Sequence, residues 1–194
     1  MKKKKILVAC EYSGTVRDAF IAKGHDAISC DLEPTDSPGP HYQGDIMDIL
    51  YDNWDMIIAF PPCTYTSNVG AKHLFPNGVL NEDRYKKGIE GKEFFMKFYN
   101  HPCEQICIEN PRPSKIFRFP QSSDSFQPKD FGHPYTKKTL LWLKNLPPLM
   151  PTGICEEWES TCTAAWFNNG GKDRQKRRAR FWNGVAQAMA EQWG

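Results

Sequence analysis

Short apolar runs alternate along the chain with segments that have helical periodicity. A short apolar run that is rich in β-branched residues and bounded by turn residues is typical of a buried strand. On this pattern the sequence predicts strands at residues 5–9, 27–30, 55–59, 105–108 and 139–143. Because these runs are apolar throughout, they predict a mostly parallel sheet that is covered on both faces.

The helical segments lie between or after these runs. Periodicity predicts helices at residues 16–23, 81–99 and 178–192. Gly24 stands where a helix C-cap glycine is expected, whereas Gly88 and Gly91 lower the helix propensity of the second segment. Loops are expected at residues 64–79, 111–131 and 147–172, which are rich in turn residues. Alternating strands and helices predict an α/β fold.

The composition is typical of a globular domain. The chain has 194 residues, of which 40% are hydrophobic and 25% charged, so we expect a single domain over residues 1–194. No apolar run approaches the roughly 20 residues that span a bilayer. The lysines at positions 2–5 precede too short an apolar run for a signal peptide. We therefore expect no membrane partner.

The seven cysteines, at positions 10, 30, 63, 103, 107, 155 and 162, have no regular spacing. An odd number of irregularly spaced cysteines argues against a disulfide framework, and the absence of a close Cys-x-x-Cys pair argues against a zinc site. These features predict no metal and a reducing, cytoplasmic environment.

Positive charge is concentrated near the C-terminus, although the formal net charge is only +2. The candidate phosphate contacts in this run are Arg174, Lys176, Arg177 and Arg178. Such a cluster suits the backbone of a nucleic acid, but it also fits a solvated helix face.

Polar residues follow the first two predicted strands. Cys10-Glu11-Tyr12-Ser13-Gly14 forms a strand-to-helix turn, and such a turn brings backbone N–H groups toward a ligand. Asp31 ends the second strand, where a carboxylate can accept hydrogen bonds from ribose hydroxyls. Asp45 follows in Gly44-Asp45-Ile46. Taken separately, each of these residues also fits an ordinary turn or helix cap.

The most specific signal is Pro61-Pro62-Cys63, directly after a buried strand. Two prolines restrict the backbone of the loop that presents the thiol. A cysteine just past a parallel strand is a candidate nucleophile, although most cysteines are buried structural residues. The rigid setting favours the nucleophile.

A second specific signal is Glu109-Asn110-Pro111, which follows the apolar run at residues 105–108. A carboxyl group that emerges from an apolar strand is expected to have a raised pKa, so it can hold a proton near neutral pH. The alternative is a solvent-facing glutamate that begins a loop. Together with Cys63, Glu109 favours a catalytic pair.

These motifs resemble, in order, those of the cytosine-5 DNA methyltransferases over nearly the whole chain. The matching segments are Cys10–Gly14, Asp31, Gly44–Ile46, Pro61–Cys63 with Ser67, Glu109–Pro111, Asp130–Pro134 and Phe181–Val185. The resemblance implies a Rossmann-like methyltransferase fold and S-adenosylmethionine as cofactor, with S-adenosylhomocysteine as product. It also implies DNA as partner, without settling whether the DNA is single- or double-stranded.

The resemblance also implies residue roles. The catalytic residues would be Cys63, Glu109, Asn110 and Lys137. The cofactor would contact Glu11, Tyr12, Ser13, Gly14, Asp31, Leu32, Asp45, Ile46, Phe60, Pro61, Asn183 and Val185. Ser67 and Lys138 would join the C-terminal basic run at the DNA.

The chain departs from the family in three places. Glu11 and Ser13 replace two glycines of the usual cofactor loop, and Tyr135-Thr136-Lys137-Lys138-Thr139 replaces the family's Gln-x-Arg-x-Arg. Residues 147–172 form a loop-rich insertion and leave no room for a large target-recognition domain, as in compact phage or prophage members. The alternative functions are therefore modification of another pyrimidine, in a nucleotide or a single strand, and a non-catalytic DNA- or cofactor-binding role.

Overall fold

A computed structural model describes residues 2–165 and 179–194. Seven strands form the main sheet, in the spatial order β3-β2-β1-β4-β5-β8-β6. Their bounds are β1 Lys5–Ala9, β2 Asp26–Asp31, β3 His41–Gln43, β4 Met56–Ala59, β5 Gln105–Asn110, β6 Asp124–Phe126 and β8 Thr139–Lys144. A separate two-stranded sheet pairs β7 Tyr135–Thr136 with β9 Glu159–Ser160.

The first five strands are parallel to one another, whereas β8 is antiparallel to both of its neighbours, β5 and β6. The prediction of an α/β fold with a mostly parallel sheet is therefore confirmed. The order β3-β2-β1-β4-β5 is also compatible with a Rossmann-like arrangement.

Four helices accompany these strands in the described part of the chain: α1 Thr15–Ala22, α2 Ala71–Leu74, α3 Glu82–Tyr99 and α4 Asn183–Trp193. One core joins α1 and α4 to Ile6, Val8 and Ile58. The other joins α3 to Leu7 and Ile57. Because neighbouring residues of a strand point to opposite faces, fully apolar strands require helices on both sides.

The direction in which the chain adds strands to the sheet changes between β1 and β4. From β1 the chain proceeds to β2 and β3 on one side, and from β4 to β5 on the other. Two backbone hydrogen bonds continue just past the ends of these strands, from Phe60 N–H to Ala9 (2.9 Å) and from Glu11 N–H to Cys30 (3.1 Å). In open α/β sheets, ligands bind outside the carboxyl ends of the strands at such a switch point. We call the region between the ends of β1 and β4 the crevice.

The sequence prediction was wrong about the start of the last helix. Residues 180–182 are not helical, and α4 begins only at Asn183. Trp182 has an extended backbone, and its ring lies 5.2 Å from that of His133. The backbone N–H of Gly184 then donates to His133 Nε2 (2.9 Å). These tertiary contacts outweigh the helical periodicity that favoured a continuous helix.

The loop predictions were also incomplete. Two short strands, β6 and β9, and the single turn of α2 lie in segments that were predicted as loops, and β3 lies in a segment for which no element was predicted. Gly88, which weakens the helix prediction, has a packing role inside α3. A Cβ atom there would lie 2.2 Å from the ring of Phe117, which is buried against this helix. Within the described ranges, every helix is too short or too polar to cross a membrane.

Candidate functional site

The ends of β4 and β5 lie side by side, and the loops that follow them are hydrogen-bonded to each other. Ala59 pairs with Ile108 in the last register position of the two strands. One residue past Glu109, the side-chain amide of Asn110 donates to the carbonyl of Pro61 (2.9 Å). This bond ties the Pro61-Pro62-Cys63 loop to the Glu109-Asn110 strand end.

Further along, the same two loops are joined by their backbones. Asn68 N–H donates to Arg112 (2.8 Å), Ser114 N–H donates to Thr66 (2.8 Å), and Ser67 forms a bridge with Pro113. The candidate nucleophile and the candidate acid therefore belong to one hydrogen-bonded unit at the carboxyl edge of the sheet.

Cys63 is half-buried at the start of a tight turn. Its carbonyl accepts hydrogen bonds from the N–H groups of Ser67 (2.9 Å) and Thr66 (3.2 Å). Pro61 and Thr66 are buried on either side of it. The backbone that carries the thiol is thus held by neighbours in sequence and by the next loop, as a nucleophile that must be positioned requires.

Glu109 lies on β5 opposite Leu141 of β8 and points to the face that also contains Cys107. Burial raises the pKa of the Glu109 carboxyl, and the nearby charge of Lys137 opposes this shift. Desolvation dominates because it penalises the ionised form. The candidate acid and the candidate catalytic Lys137 are therefore close enough to interact.

Asn110 is almost fully buried. Its Nδ2 atom bonds to Pro61, but its Oδ1 atom has no hydrogen-bond partner among the residues that the structure describes. Buried polar atoms without a partner are uncommon in native proteins. The unpaired acceptor shows that this corner of the site has hydrogen-bonding capacity that the described chain does not use.

The ends of β1 and β2 gather acidic groups around Cys10. Burial raises the pKa of the Cys10 thiol, and the charges of Asp31 and Asp45 raise it further. The same two carboxylates, after burial, raise the pKa of Cys30 to about 12. Two residues predicted to hold the cofactor thus lie near the first strand end, although they are separated in sequence.

Asp31 and Asp45 each make one local hydrogen bond. Asp31 Oδ1 accepts from Glu33 N–H (3.0 Å), and Asp45 Oδ1 accepts from Met47 N–H (2.9 Å), which caps a short 3₁₀ turn. Leu32, next to Asp31, is 75% exposed, whereas Ile46 is buried. A large apolar side chain exposed beside a strand-end carboxylate offers a surface for a flat ligand.

Glu11 is used inside the protein. Its carboxylate accepts hydrogen bonds from Val16 N–H (2.8 Å), the Ser13 hydroxyl (3.0 Å) and Arg17 N–H (3.4 Å). The two N–H groups belong to the first turn of α1, whose N-cap residue Gly14 has no side chain to cap it, and the Ser13 hydroxyl oxygen accepts from Thr15 N–H (3.3 Å) in the same turn. Burial raises the pKa of Glu11, and the hydrogen bonds oppose that shift. The Glu11 side chain therefore acts as a helix cap.

The turn before α1 requires glycine at position 14, because a Cβ atom there would collide with the Arg17 guanidinium. Gly14 has a φ of 73°, in the left-handed region that favours glycine. Tyr12 and Ser13 are buried, and the carbonyl of Tyr12 accepts a hydrogen bond from Asp36 N–H (3.0 Å). The predicted contacts of Tyr12, Ser13 and Gly14 remain predictions.

Sequence reasoning missed Arg17, a fully buried arginine of α1. Its guanidinium donates to the Ser29 hydroxyl (3.1 Å) and the carbonyl of Ser37 (2.9 Å), and it pairs with Asp18. These bonds hold the loop at residues 32–40 against the end of β2. The only sequence signal was an arginine within an amphipathic helix, which is usually a surface residue.

The segment before α4 packs against the end of β4. The rings of Phe60 and Phe181 lie 4.7 Å apart. Arg180 forms an ion pair with Asp36 (2.7 Å), which belongs to the loop after β2. Arg180 and Phe181 therefore contact the loop after β2 and the end of β4, respectively. Within the Phe181–Val185 element, Asn183 is exposed and Val185 is fully buried in the core.

The remaining predicted residues lie in different settings. Ser67 is half-buried in the Cys63 loop, and Lys138 is exposed just before β8. Thr139 is buried, and its hydroxyl donates to the carbonyl of Lys137 (3.0 Å), so it helps to place that lysine. The basic residues Arg174, Lys176, Arg177 and Arg178 lie outside the described residues.

Among residues 2–165 and 179–194, no cluster of three or more His, Cys, Asp or Glu side chains is arranged to hold a metal ion. No protein-family model matches the sequence, and no curated protein matches it. The motifs and their geometry therefore carry the functional argument.

Proposed function

We propose that this protein is an S-adenosylmethionine-dependent methyltransferase with a Rossmann-like fold. The crevice lies where α/β sheets bind nucleotide-containing ligands. Asp31 and the exposed Leu32 border one side, and Phe60 with Phe181 borders the other. Asp31 would accept hydrogen bonds from the ribose, Leu32 would contact the adenine ring, and Asp45 its amino group. The bound donor would supply an electrophilic methyl group.

The particular reaction that we propose is methylation of carbon 5 of cytosine in DNA. The observation that carries this proposal is the hydrogen-bonded unit formed by the ends of β4 and β5, from which Cys63 and Glu109 emerge at one edge of the sheet. A thiol and a carboxyl with a raised pKa are the two groups that addition to a pyrimidine ring requires.

In this scheme the chain supplies the nucleophile, Cys63 as its thiolate after loss of the thiol proton to solvent, and the acid, Glu109. The Cys63 thiolate forms a bond to carbon 6, the ring electrons shift toward nitrogen 3, and Glu109 gives its proton to that nitrogen. Carbon 5 then has enamine character and takes up the methyl group. Removal of the carbon-5 proton by a base or water restores the carbon 5–carbon 6 double bond and expels the thiolate, while nitrogen 3 returns its proton to Glu109.

Asn110 and Lys137 are positioning residues in this scheme. Asn110 holds the Cys63 loop through Pro61, and the charge of Lys137 lies near the acid. A target base within a duplex would have to leave the base stack, at a cost of a few kcal/mol. A reducing cytoplasm would keep the Cys63 thiol reduced and therefore able to act as the nucleophile.

Covalent trapping on DNA that contains 5-fluorocytosine tests the proposal, because fluorine at carbon 5 blocks the final elimination. With S-adenosylmethionine present, we expect an adduct that survives denaturing electrophoresis. Cys63→Ser should abolish both the adduct and methyl transfer while cofactor binding survives. Cys162→Ser, which alters an exposed cysteine, is the matched control. Near wild-type turnover by Cys63→Ser would rule out the covalent mechanism.

One observation favours a second substrate class. The family's two arginines near the target base are replaced by Lys137 and by Thr139, whose hydroxyl bonds within its own loop. A lysine cannot make the two parallel hydrogen bonds of a guanidinium. Tritium transfer from labelled S-adenosylmethionine to duplex DNA, single-stranded DNA and free cytidine nucleotides distinguishes the substrates. Transfer to none of these, with cofactor bound, would favour a non-catalytic role.

A further inference from the structure

A cleft of about 560 Å³ lies between the segment after Cys63 and the first turns of α3. We call it the Arg84 cleft. Its functional groups come from two separate parts of the chain: Tyr65, Lys72, His73, Asp83, Arg84 and Lys87. Its volume is in the range of small-molecule binding sites, roughly 300–1,000 Å³.

The Arg84 cleft is directly connected to the candidate nucleophile. Arg84 Nη2 donates to the carbonyl of Thr64 (2.7 Å), the residue that follows Cys63. Gly70 makes this contact possible, because a Cβ atom there would lie 2.9 Å from Arg84 Nη2. A group bound in the cleft would therefore touch the loop that carries the thiol.

The cationic groups of the cleft surround an aromatic ring. The guanidinium of Arg84 lies 5.1 Å from the centre of the Tyr65 ring, and Lys87 Nζ lies 5.4 Å from it. Lys72 approaches from α2, at the opposite wall. Because Arg84 and Lys87 are three residues apart on α3, they share one face of the helix.

The positive charges of the cleft outnumber its negative charge. Lys72, Arg84 and Lys87 face one carboxylate, that of Asp83. None of the ion pairs within the described ranges includes any of these four residues. The Nε atom of Arg84 is buried and has no hydrogen-bond partner among the described residues. The cleft thus holds an uncompensated guanidinium beside two lysines.

The alternative explanation is that these cations only form a solvated, basic face of α3, as is common for exposed helices. The positions of the charges argue against it. Lys72 lies on α2 and Arg84 and Lys87 lie on α3, yet all three line one cavity. Lys86, which precedes Lys87 in the sequence, is exposed and does not line the cavity. It therefore provides a comparison within the same helix.

The geometry points to a phosphate-binding site in the Arg84 cleft. Guanidinium and ammonium groups recognise phosphate oxygens through charge-assisted hydrogen bonds, and the Tyr65 hydroxyl adds a neutral donor. This inference rests on the proposed function, since it places a phosphate of the pyrimidine substrate next to the Cys63 loop. The phosphate would belong either to a nucleic-acid strand or to a free nucleotide.

The test uses the full chain with Cys63→Ser, so that turnover does not interfere. The variants are Lys72→Gln with Lys87→Gln, and the matched control is Lys86→Gln. Binding of a fluorescent single-stranded oligonucleotide is measured by anisotropy at several salt concentrations. We expect the double variant to bind roughly tenfold more weakly and the slope of log K against log[salt] to decrease in magnitude by about 0.7, because each neutralised phosphate of a single strand contributes about 0.7.

A competition arm identifies the source of the phosphate. If cytidine 5′-monophosphate competes with the oligonucleotide, and competes less well in the double variant than in the control, the cleft takes the phosphate of a free nucleotide. If only the polymer is affected, it takes a backbone phosphate. Equal behaviour of the double variant and Lys86→Gln with both probes would overturn the inference.

Calorimetry with S-adenosylmethionine on the same proteins separates this result from the proposed function. The double variant should bind the cofactor as the control does. If none of these proteins binds S-adenosylmethionine but the two lysine substitutions still weaken oligonucleotide binding, the proposed methyl transfer is wrong and the phosphate site stands.

Discussion

Glu11 lies just past the end of β1, and Glu109 lies near the end of β5, at the same edge of the sheet. The surroundings of the two carboxyl groups differ. Burial raises the pKa of both carboxyl groups. Glu11 accepts three hydrogen bonds, from the Ser13 hydroxyl and from the N–H groups of Val16 and Arg17, whereas at Glu109 the nearby charge of Lys137 opposes the effect of burial. A buried carboxylate with its acceptors occupied is part of the scaffold. A carboxyl group whose pKa is raised by burial, as at Glu109, is a candidate proton donor.

The largest effect that separates the two glutamates is expected for Glu109→Gln. The amide cannot transfer a proton to the pyrimidine ring, so methyl transfer should fall roughly 10²- to 10⁴-fold, the usual contribution of general acid catalysis. Thermal stability should change little. Glu104→Gln, which alters an exposed glutamate just before the start of β5, is the control. Retention of more than half of the activity by Glu109→Gln would show that Glu109 is not the acid.

The pH dependence of the wild-type rate belongs to the same test. Burial raises the Glu109 pKa above its usual value of 4.5, and the proposed mechanism requires the protonated form. Activity that depends on this group should therefore be present below the folded-state pKa and decline as the pH rises through it. Glu109→Gln should lose that alkaline limb.

A smaller effect, on stability instead of on catalysis, is expected for Glu11→Ala. The substitution leaves the N–H groups of Val16 and Arg17 buried without their acceptor. Each such group costs about 1–3 kcal/mol, so the midpoint of urea denaturation should fall clearly. Glu33→Ala, which alters an exposed glutamate nearby, is the control. An unchanged midpoint for Glu11→Ala would contradict its assignment as the α1 cap.

The smallest effect is expected for Asp31→Ala, a third strand-end carboxylate. Asp31 makes a single local hydrogen bond, so stability should be nearly unchanged. Loss of the ribose contacts should weaken S-adenosylmethionine binding about tenfold, since a net charged hydrogen bond contributes about 1.5 kcal/mol or more. Isothermal titration calorimetry measures this change. An unaltered affinity would remove Asp31 from the proposed cofactor site.

Local pattern was sufficient for much of the architecture. All five predicted strands are present, and α1 and α3 differ from prediction by one residue at their ends. Asn81 caps α3 by accepting from Arg84 N–H (3.0 Å), and Gly24 follows α1 with a φ of 91°. Caps, turns and apolar periodicity are properties of neighbouring residues, so they can be read along the chain.

Long-range contacts could not be read in the same way. The bond from Asn110 to Pro61 joins residues 49 positions apart, and the cap by Glu11 depends on how α1 leaves β1. The antiparallel direction of β8, the interruption before α4 and the Arg84 cleft also depend on partners distant in sequence. The linear order thus names Cys63 and Glu109 as candidates. Sheet register and loop hydrogen bonds place them on adjoining strand ends, because only folding brings separate strand ends to one edge.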